Sequence, residues 1–343
     1  MQTNLLRRSP AISESTDSVL VNDWHVLARS PDVKPGKPIQ ARLLGTDIVL
    51  WRSEAGQICA WEDRCPHRSV RLSLGKVVGN TLVCSYHGMS YATSGQCIAV
   101  PAHPNYTPPK QACVQTYQVQ ERYGLVYVCL GEPNNHIPLF PEWDNPDYRC
   151  YLTGPYPIRA NGLRAIENFL DVAHFPFIHT DILGTLDKSE IADYEVSIDE
   201  KGVYARNIRV WQPDPYGTGL GGTFVNYDYW ALRPMTAYLR KSNPGGEQLT
   251  LLYNVTPVEE DYCIAWMSGS LNYAPDMPEA EIMAFQDIIV RQDLENLESH
   301  NPQLLPLDSP LEFHVPSDRT SLAYRKWLKQ LGLTYGVLTC SSS

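Results

Sequence analysis

Residues 65 to 88 read CPHRSVRLSLGKVVGNTLVCSYHG and place two cysteine–histidine pairs in two short loops. Cys65 stands two residues before His67, and Cys84 three before His87. Each pair adjoins a turn-forming residue, Pro66 or Gly88, rather than lying inside a strand pattern. Buried cysteines with incidental histidines would not need that repetition. A structural zinc site more often pairs like with like, cysteine near cysteine and histidine near histidine. Here each loop offers one sulfur and one imidazole. A binuclear iron–sulfur unit explains this, one iron taking a thiolate from each loop and the other an imidazole from each.

That distribution is the Rieske type of [2Fe–2S] cluster, with Cys65, His67, Cys84 and His87 as its ligands. Around it, ARLLGTDIVLWRS (41–53), QICAWED (57–63) and GLVYVCL (124–130) are strand-like runs cut by Gly and polar turns. They predict a small antiparallel β domain over residues 22–137, with the cluster at its tip. Residues 1–21 read as a polar tail, because no apolar run follows the pair Arg7 and Arg8.

The chain has 343 residues, enough for about two domains. Apolar residues make up 43 % and charged ones 19 %, a globular balance. Net charge is −10 with no basic cluster, which argues against a nucleic-acid partner. No apolar run is long enough to span a membrane. The nine cysteines are odd in number and scattered, as expected of a reduced cytoplasmic protein.

A cluster domain needs only part of this length, so residues 138–343 are expected to form a second, catalytic domain. ENFLDVAHFPFIHTD (167–181) contains Asn168, Asp171, His174 and His179. Asp171 and His174 are spaced for one helical face, while Pro176 between the histidines can break or kink a helix. By themselves the histidines are equally readable as packing residues near a helix end. EAEIMAFQDIIVRQDLENLES (279–299) reads as a helix whose apolar stripe includes Phe285, Ile289 and Leu297, with Asp293 on the same stripe. A carboxylate facing a core is costly unless paired or bound to a cation. Two imidazoles and one carboxylate make the facial triad of a mononuclear Fe(II) site that activates O2.

With both sets of residues in view, the chain resembles the Rieske non-haem iron oxygenases over nearly its whole length. The family's N-x2-D-x2-H-x4-H motif falls on Asn168, Asp171, His174 and His179, and its distal acid on Asp293. The resemblance implies an α+β chain, with an N-terminal antiparallel β Rieske domain and a C-terminal helix-grip domain whose antiparallel sheet wraps a long helix. It also implies a homotrimer in which one subunit's cluster feeds its neighbour's iron, with Asp171 between His87 and His174. The second cysteines of membrane-complex Rieske proteins are absent, since Val70 and Tyr86 stand there. Met89 replaces the Trp that usually follows the second loop, which alters packing beside the cluster.

ERYGLVYVCLG, VPAHPN and SDRTSLAYRKWLKQLGLTYGV are similar to two branches of the family. One hydroxylates guanidinium alkaloids of the saxitoxin type, and the other N-demethylates purine alkaloids such as caffeine. The expected reaction is therefore O2-dependent C–H hydroxylation of a small nitrogen-rich alkaloid, with N- or O-demethylation as the alternative and a non-catalytic electron carrier as a remote one. GTGLGG (217–222) matches a dinucleotide fingerprint, but the β-rich TFVNYDYWALR follows it where a helix is required. It reads instead as a loop near the active-site entrance. Electrons are then expected from a separate reductase or ferredoxin, with NAD(P)H used only indirectly. Candidate pocket residues are Phe177, Phe224, Tyr229, Trp230, Trp266 and Met267.

Overall fold

The computed structural model describes residues 17–215, 221–308 and 311–339, and the chain divides into two units between His136 and Ile137. The first unit opens with a one-turn helix α1 (Ser18–Val21). Its strands are β1 (His25–Arg29), β2 (Ile39–Leu43), β3 (Thr46–Arg52), β4 (Ile58–Glu62), β5 (Lys76–Val78), β6 (Thr81–Val83), β7 (Ser90–Ala92), β8 (Cys97–Ala99), β9 (Thr116–Arg122) and β10 (Leu125–Cys129). A six-stranded antiparallel sheet runs β1-β10-β9-β4-β3-β2, and a small one runs β5-β6-β7-β8. Two-residue turns close β2–β3 at Leu44-Gly45 and β9–β10 at Tyr123-Gly124, with φ positive at all four residues. That backbone matches the right-handed twist of paired strands.

Residues 17–21 depart from the expected polar tail. Asp17 caps α1 by accepting from the Val19 and Leu20 amides at 2.8 and 3.2 Å, and Leu20 is fully buried. One turn is too short to show a helical period in sequence. The rest of that tail lies outside the described residues.

The second unit holds β11 (Arg149–Ile158), α2 (Gly162–Leu170), α3 (Phe175–Ile178), β12 (Glu195–Asp199), β13 (Gly202–Gln212), β14 (Thr223–Arg233), β15 (Thr236–Ser242), β16 (Gln248–Glu259), β17 (Tyr262–Leu271), α4 (Glu279–Glu298) and α5 (Arg319–Leu331). These seven strands form one antiparallel sheet, β11-β17-β16-β15-β14-β13-β12, and Leu305–Pro306 pairs in parallel with Val337–Leu338. Helix α4 packs on β11, α2 on β14 to β17, and α5 on β12 and β13. The α+β class expected from sequence is the observed one. Residues 217–220 of the glycine-rich segment lie outside the described residues, and the segment leads into strand β14 rather than a helix. Among the described residues no helix is long and apolar enough to cross a membrane, and none of the eight cysteines there is in a disulfide.

Candidate functional site

The loops 65–70 and 84–89 are the same turn built twice. In each, the cysteine amide donates to the carbonyl five residues on, Val70 or Met89, at 2.8 or 2.9 Å. The amide four residues on, Ser69 or Gly88, donates back to the cysteine carbonyl at 2.9 or 3.1 Å. Ser69 and Gly88 take positive φ, 56° and 66°, to close the turn. Each turn buries its sulfur and exposes its imidazole. Cys65 and Cys84 sit in an apolar core with Trp51, Trp61 and Leu82, while the His67 and His87 rings meet outside at 4.6 Å between centroids. Burial pushes the Cys84 thiol up, partly offset by the Tyr86 and His87 amides. Desolvation and the neighbouring His87 and Arg68 push His67 down, which favours the neutral, ligating imidazole. Two inward sulfurs and two outward imidazoles fit a cluster with one iron of each kind. Met89 packs on this core, and the Tyr91 hydroxyl lies 3.1 Å from Cys65 Sγ and 3.8 Å from Met89 Sδ.

In the second unit α2 stops at Asp171, its C-cap, so Asp171 and His174 do not share a helical face. Pro176 does not kink a helix but stands in the first turn of α3, where a missing amide costs nothing. His174 and His179 are the two caps of that single turn, which brings their rings to 5.1 Å. Asp293 approaches from α4, with Oδ1 3.6 Å from His174 Nε2 and 3.3 Å from His179 Nε2. One donor atom from each of the three lies within 4.8 Å of the other two.

The donor chemistry fits a divalent metal at this point. His174 Nδ1 is 3.0 Å from Asp171 Oδ2, and His179 Nδ1 is 2.8 Å from Gln292 Oε1. With Nδ1–H committed to those acceptors, both Nε2 lone pairs face the space in front of Asp293. Asp293 Oδ1 is buried without a hydrogen bond, an orphan that a cation would satisfy. Asp171 also accepts from the Ala173 amide at 2.9 Å, which fixes its carboxylate. Asn168 lines the cavity beside the triad.

Gln292 was not legible as a site residue. Its neighbour Asp293 falls on the apolar stripe, whereas a glutamine one position away carries no periodic signal. Gln292→Leu is expected to weaken iron retention by roughly 10- to 100-fold, since the His179 ring loses its orienting acceptor. Iron analysis after dialysis against a chelator measures it, and unchanged retention would remove Gln292 from the centre.

A cavity of about 460 Å³ opens at the triad, within the ~300–1,000 Å³ range of small-molecule sites. Phe169, Phe175, Leu239, Leu251 and Met267 give it an apolar wall. Of the six pocket residues expected from sequence, Tyr229 and Met267 line it. The other four do not. Phe224 and Trp230 occupy even positions of β14, whose odd positions, Val225, Tyr227, Tyr229 and Ala231, are the buried ones. Trp266 is likewise one residue out of register with Met267 and donates to Thr256 Oγ1 at 2.9 Å. Phe177 is 62 % exposed. Alternation along a strand sends neighbouring side chains to opposite faces, and aromatic content alone does not say which.

Two family models cover these units. Residues 23–118 match the Rieske [2Fe-2S] domain, and residues 158–334 match the vanillate O-demethylase oxygenase C-terminal domain. The chain therefore belongs to the Rieske non-haem iron oxygenase family, and it is an enzyme of that oxygenase class with the cluster and non-haem iron this implies. It is 31 % identical to the methylxanthine N1-demethylase NdmA of Pseudomonas putida, over 94 % of this chain and 92 % of the relative. It is 30 % identical to the vanillate O-demethylase oxygenase subunit of a Pseudomonas species, over 83 % and 86 % respectively. The solved structure of NdmA from P. putida CBB5 with caffeine superposes with a TM-score of 0.77 at 28 % identity, covering 91 % of this chain and 90 % of that one.

Proposed function

We propose that this chain is the oxygenase component of an O2-dependent demethylase that removes a methyl group from a small N-methylated heterocycle. The observation that carries the reading is the 460 Å³ cavity ending at His174, His179 and Asp293, in a chain similar along its length to a methylxanthine N-demethylase. In this reading Cys65, His67, Cys84 and His87 hold the [2Fe–2S] cluster, and His174, His179 and Asp293 hold Fe(II). Iron so held supplies O2 activation for oxygen insertion into a C–H bond, with electrons delivered through the cluster.

The chain's own residues prepare that step. Asp171 and Gln292 hold the two imidazoles in the tautomer that presents Nε2. Phe169, stacked on Tyr253 at 4.6 Å, and Phe175, edge-on to His174 at 5.0 Å, keep water from the reacting carbon. Hydroxylation of an N-methyl carbon gives a hydroxymethyl amine, which collapses to formaldehyde and an N–H. An O-methyl aryl ether follows the same course to a phenol. A ring or chain carbon would keep its hydroxyl, as saxitoxin-type guanidinium hydroxylation requires. The relatives favour demethylation over that outcome. A separate reductase or ferredoxin drawing on NAD(P)H, and a homotrimer passing electrons from His87 of one copy through Asp171 to His174 of the next, complete the proposal.

Formaldehyde release decides between the two reactions. Chemically reduced holoenzyme, given O2 and caffeine or 4-methoxybenzoate in a single turnover, is expected to release formaldehyde and the demethylated product. A hydroxylated product with every methyl retained would overturn the reading.

A further inference from the structure

Oxygen insertion at the triad does not account for a buried amine in the cavity wall. Lys241 lies on β15 and is 6 % exposed. Its Nζ donates to the Pro215 carbonyl at 2.6 Å and to Gln212 Oε1 at 3.3 Å. Both acceptors are neutral, and an ammonium has a third hydrogen to give. Burial pushes Lys241 down to about 8, against the opposing pull of Asp214.

Two tyrosines continue the pattern. Gln212 Nε2 donates to the Tyr227 hydroxyl at 2.6 Å, which leaves that hydroxyl its own hydrogen to donate. The Tyr229 ring stacks on Tyr227 with centroids 5.8 Å apart. Its hydroxyl is buried with no hydrogen-bond partner among the described residues. Lys241, Gln212, Tyr227 and Tyr229 all line the cavity. Asp181 and Glu281 reach the same cavity from exposed positions, and Asp214 from a half-buried one. Buried donors of this kind find an acceptor in nearly every folded protein, and among the described residues none serves the Tyr229 hydroxyl, whose residue lines the cavity.

Tyr229 feels the Asp171 and Asp293 carboxylates at the metal-site end of the wall. Tyr227 is the cross-strand partner of Lys241. The Phe175 ring contacts both Tyr227, at 5.7 Å, and His179, at 5.9 Å between centroids. An oxygen held at Lys241 and a methyl held at the triad are then two contacts of one molecule bound in this cavity.

We propose that Lys241, seated by Gln212 and flanked by Tyr227 and Tyr229, receives an acceptor oxygen of the substrate, a ring carbonyl or a carboxylate, and so determines which molecules present a methyl group to the triad. The inference rests on the demethylase reading and adds the chemical class of its substrate. A guanidinium cation would meet like charge at Lys241.

Calorimetric titration of the holoenzyme with two matched pairs tests it. One pair is 9-methylhypoxanthine and 9-methylpurine, which differ by a ring carbonyl and the N–H beside it. The other is 4-methoxybenzoate and 4-methoxytoluene, which differ by a carboxylate. In one pair the oxygen-bearing member is expected to bind roughly 10- to 100-fold more tightly, the worth of one charge-assisted hydrogen bond. Lys241→Met should abolish that preference by weakening the oxygen-bearing member, and Lys241→Arg should retain part of it. A preference in the purine pair assigns the carbonyl, and one in the benzoate pair assigns the carboxylate. Equal binding within both pairs by the unsubstituted protein overturns the proposal without recourse to any variant, and so does a preference that survives Lys241→Met. Binding is read without turnover, so a chain that shows the preference yet releases no formaldehyde fails the demethylase reading alone.

Discussion

Asp293→Ala is expected to abolish product formation while leaving the visible spectrum of the cluster intact. Asp293 is the sole contribution of α4 to the triad, and the other two members come from the two ends of α3. Removing it takes away the anionic donor and leaves two neutral imidazoles, a set that binds a hard divalent cation far less well. The loss should exceed the ~10- to 100-fold that residues orienting a ligand cost. Iron content should fall by the mononuclear atom alone, because both cysteines and both histidines of the 65–88 loops lie in the other unit. In metal-free protein, fold stability should hold or rise, since a buried oxygen without a hydrogen bond is exchanged for a methyl. A variant that keeps its full iron content and its turnover would place the oxygen chemistry elsewhere in the chain.

Arg325→Ala is expected to lower stability by about 3–5 kcal/mol, through the loss of one partner from a buried charge network. Arg325 on α5 grips Glu167 on α2 through Nε and Nη2, at 2.5 and 2.8 Å, and reaches Glu312 at 2.7 Å. Arg164 on α2 closes the ring, at 2.7 Å from Glu312 and 3.5 Å from Glu167. The two arginine side chains are only 3 % and 7 % exposed. Without Arg325, Glu167 is left beside one distant guanidinium. For a unit of this size the melting temperature should drop by roughly 6–20 °C, and a drop of a degree or two would show that the network contributes little.

The same ring predicts an acid limit. Burial would raise the Glu312 carboxyl, but Arg164 and Arg325 outweigh it and hold the group at about 2, against an ordinary 4.5. Because the folded value is the lower one, the stabilisation is complete above the unfolded carboxyl's range. It is lost as pH falls from about 4.5 towards 2. Denaturant midpoints measured across that window should fall more steeply in the native chain than in Glu312→Gln.

Motif spacing made both candidate metal sites readable, because their chemistry is local along the chain. Cys65 with His67, Cys84 with His87, and His174 with His179 each lie within one turn. Asp293 was found from afar only because an acid on an apolar helical stripe is anomalous. The antiparallel β content followed from alternation and turn residues. What failed was local too, but depended on more than pattern. The helix after Gly162 ends at Asp171 rather than breaking at Pro176, since the Asp171 carboxylate accepts the Ala173 amide and turns to His174 instead of continuing the helix.

The sequence by itself determined which donor atoms exist and at what intervals, and that was enough to define the oxygenase class. Only the tertiary structure decided which faces of β13 to β17 look into the cavity. It kept Tyr229 and Met267, turned Phe224, Trp230 and Trp266 away, and brought in Gln212 and Lys241. The reason is geometric. A ligand pair within one turn is positioned by a few torsions that the sequence encodes directly. A cavity wall depends on the register of five strands against a distant helix, and a shift of one residue exchanges every side chain on a strand.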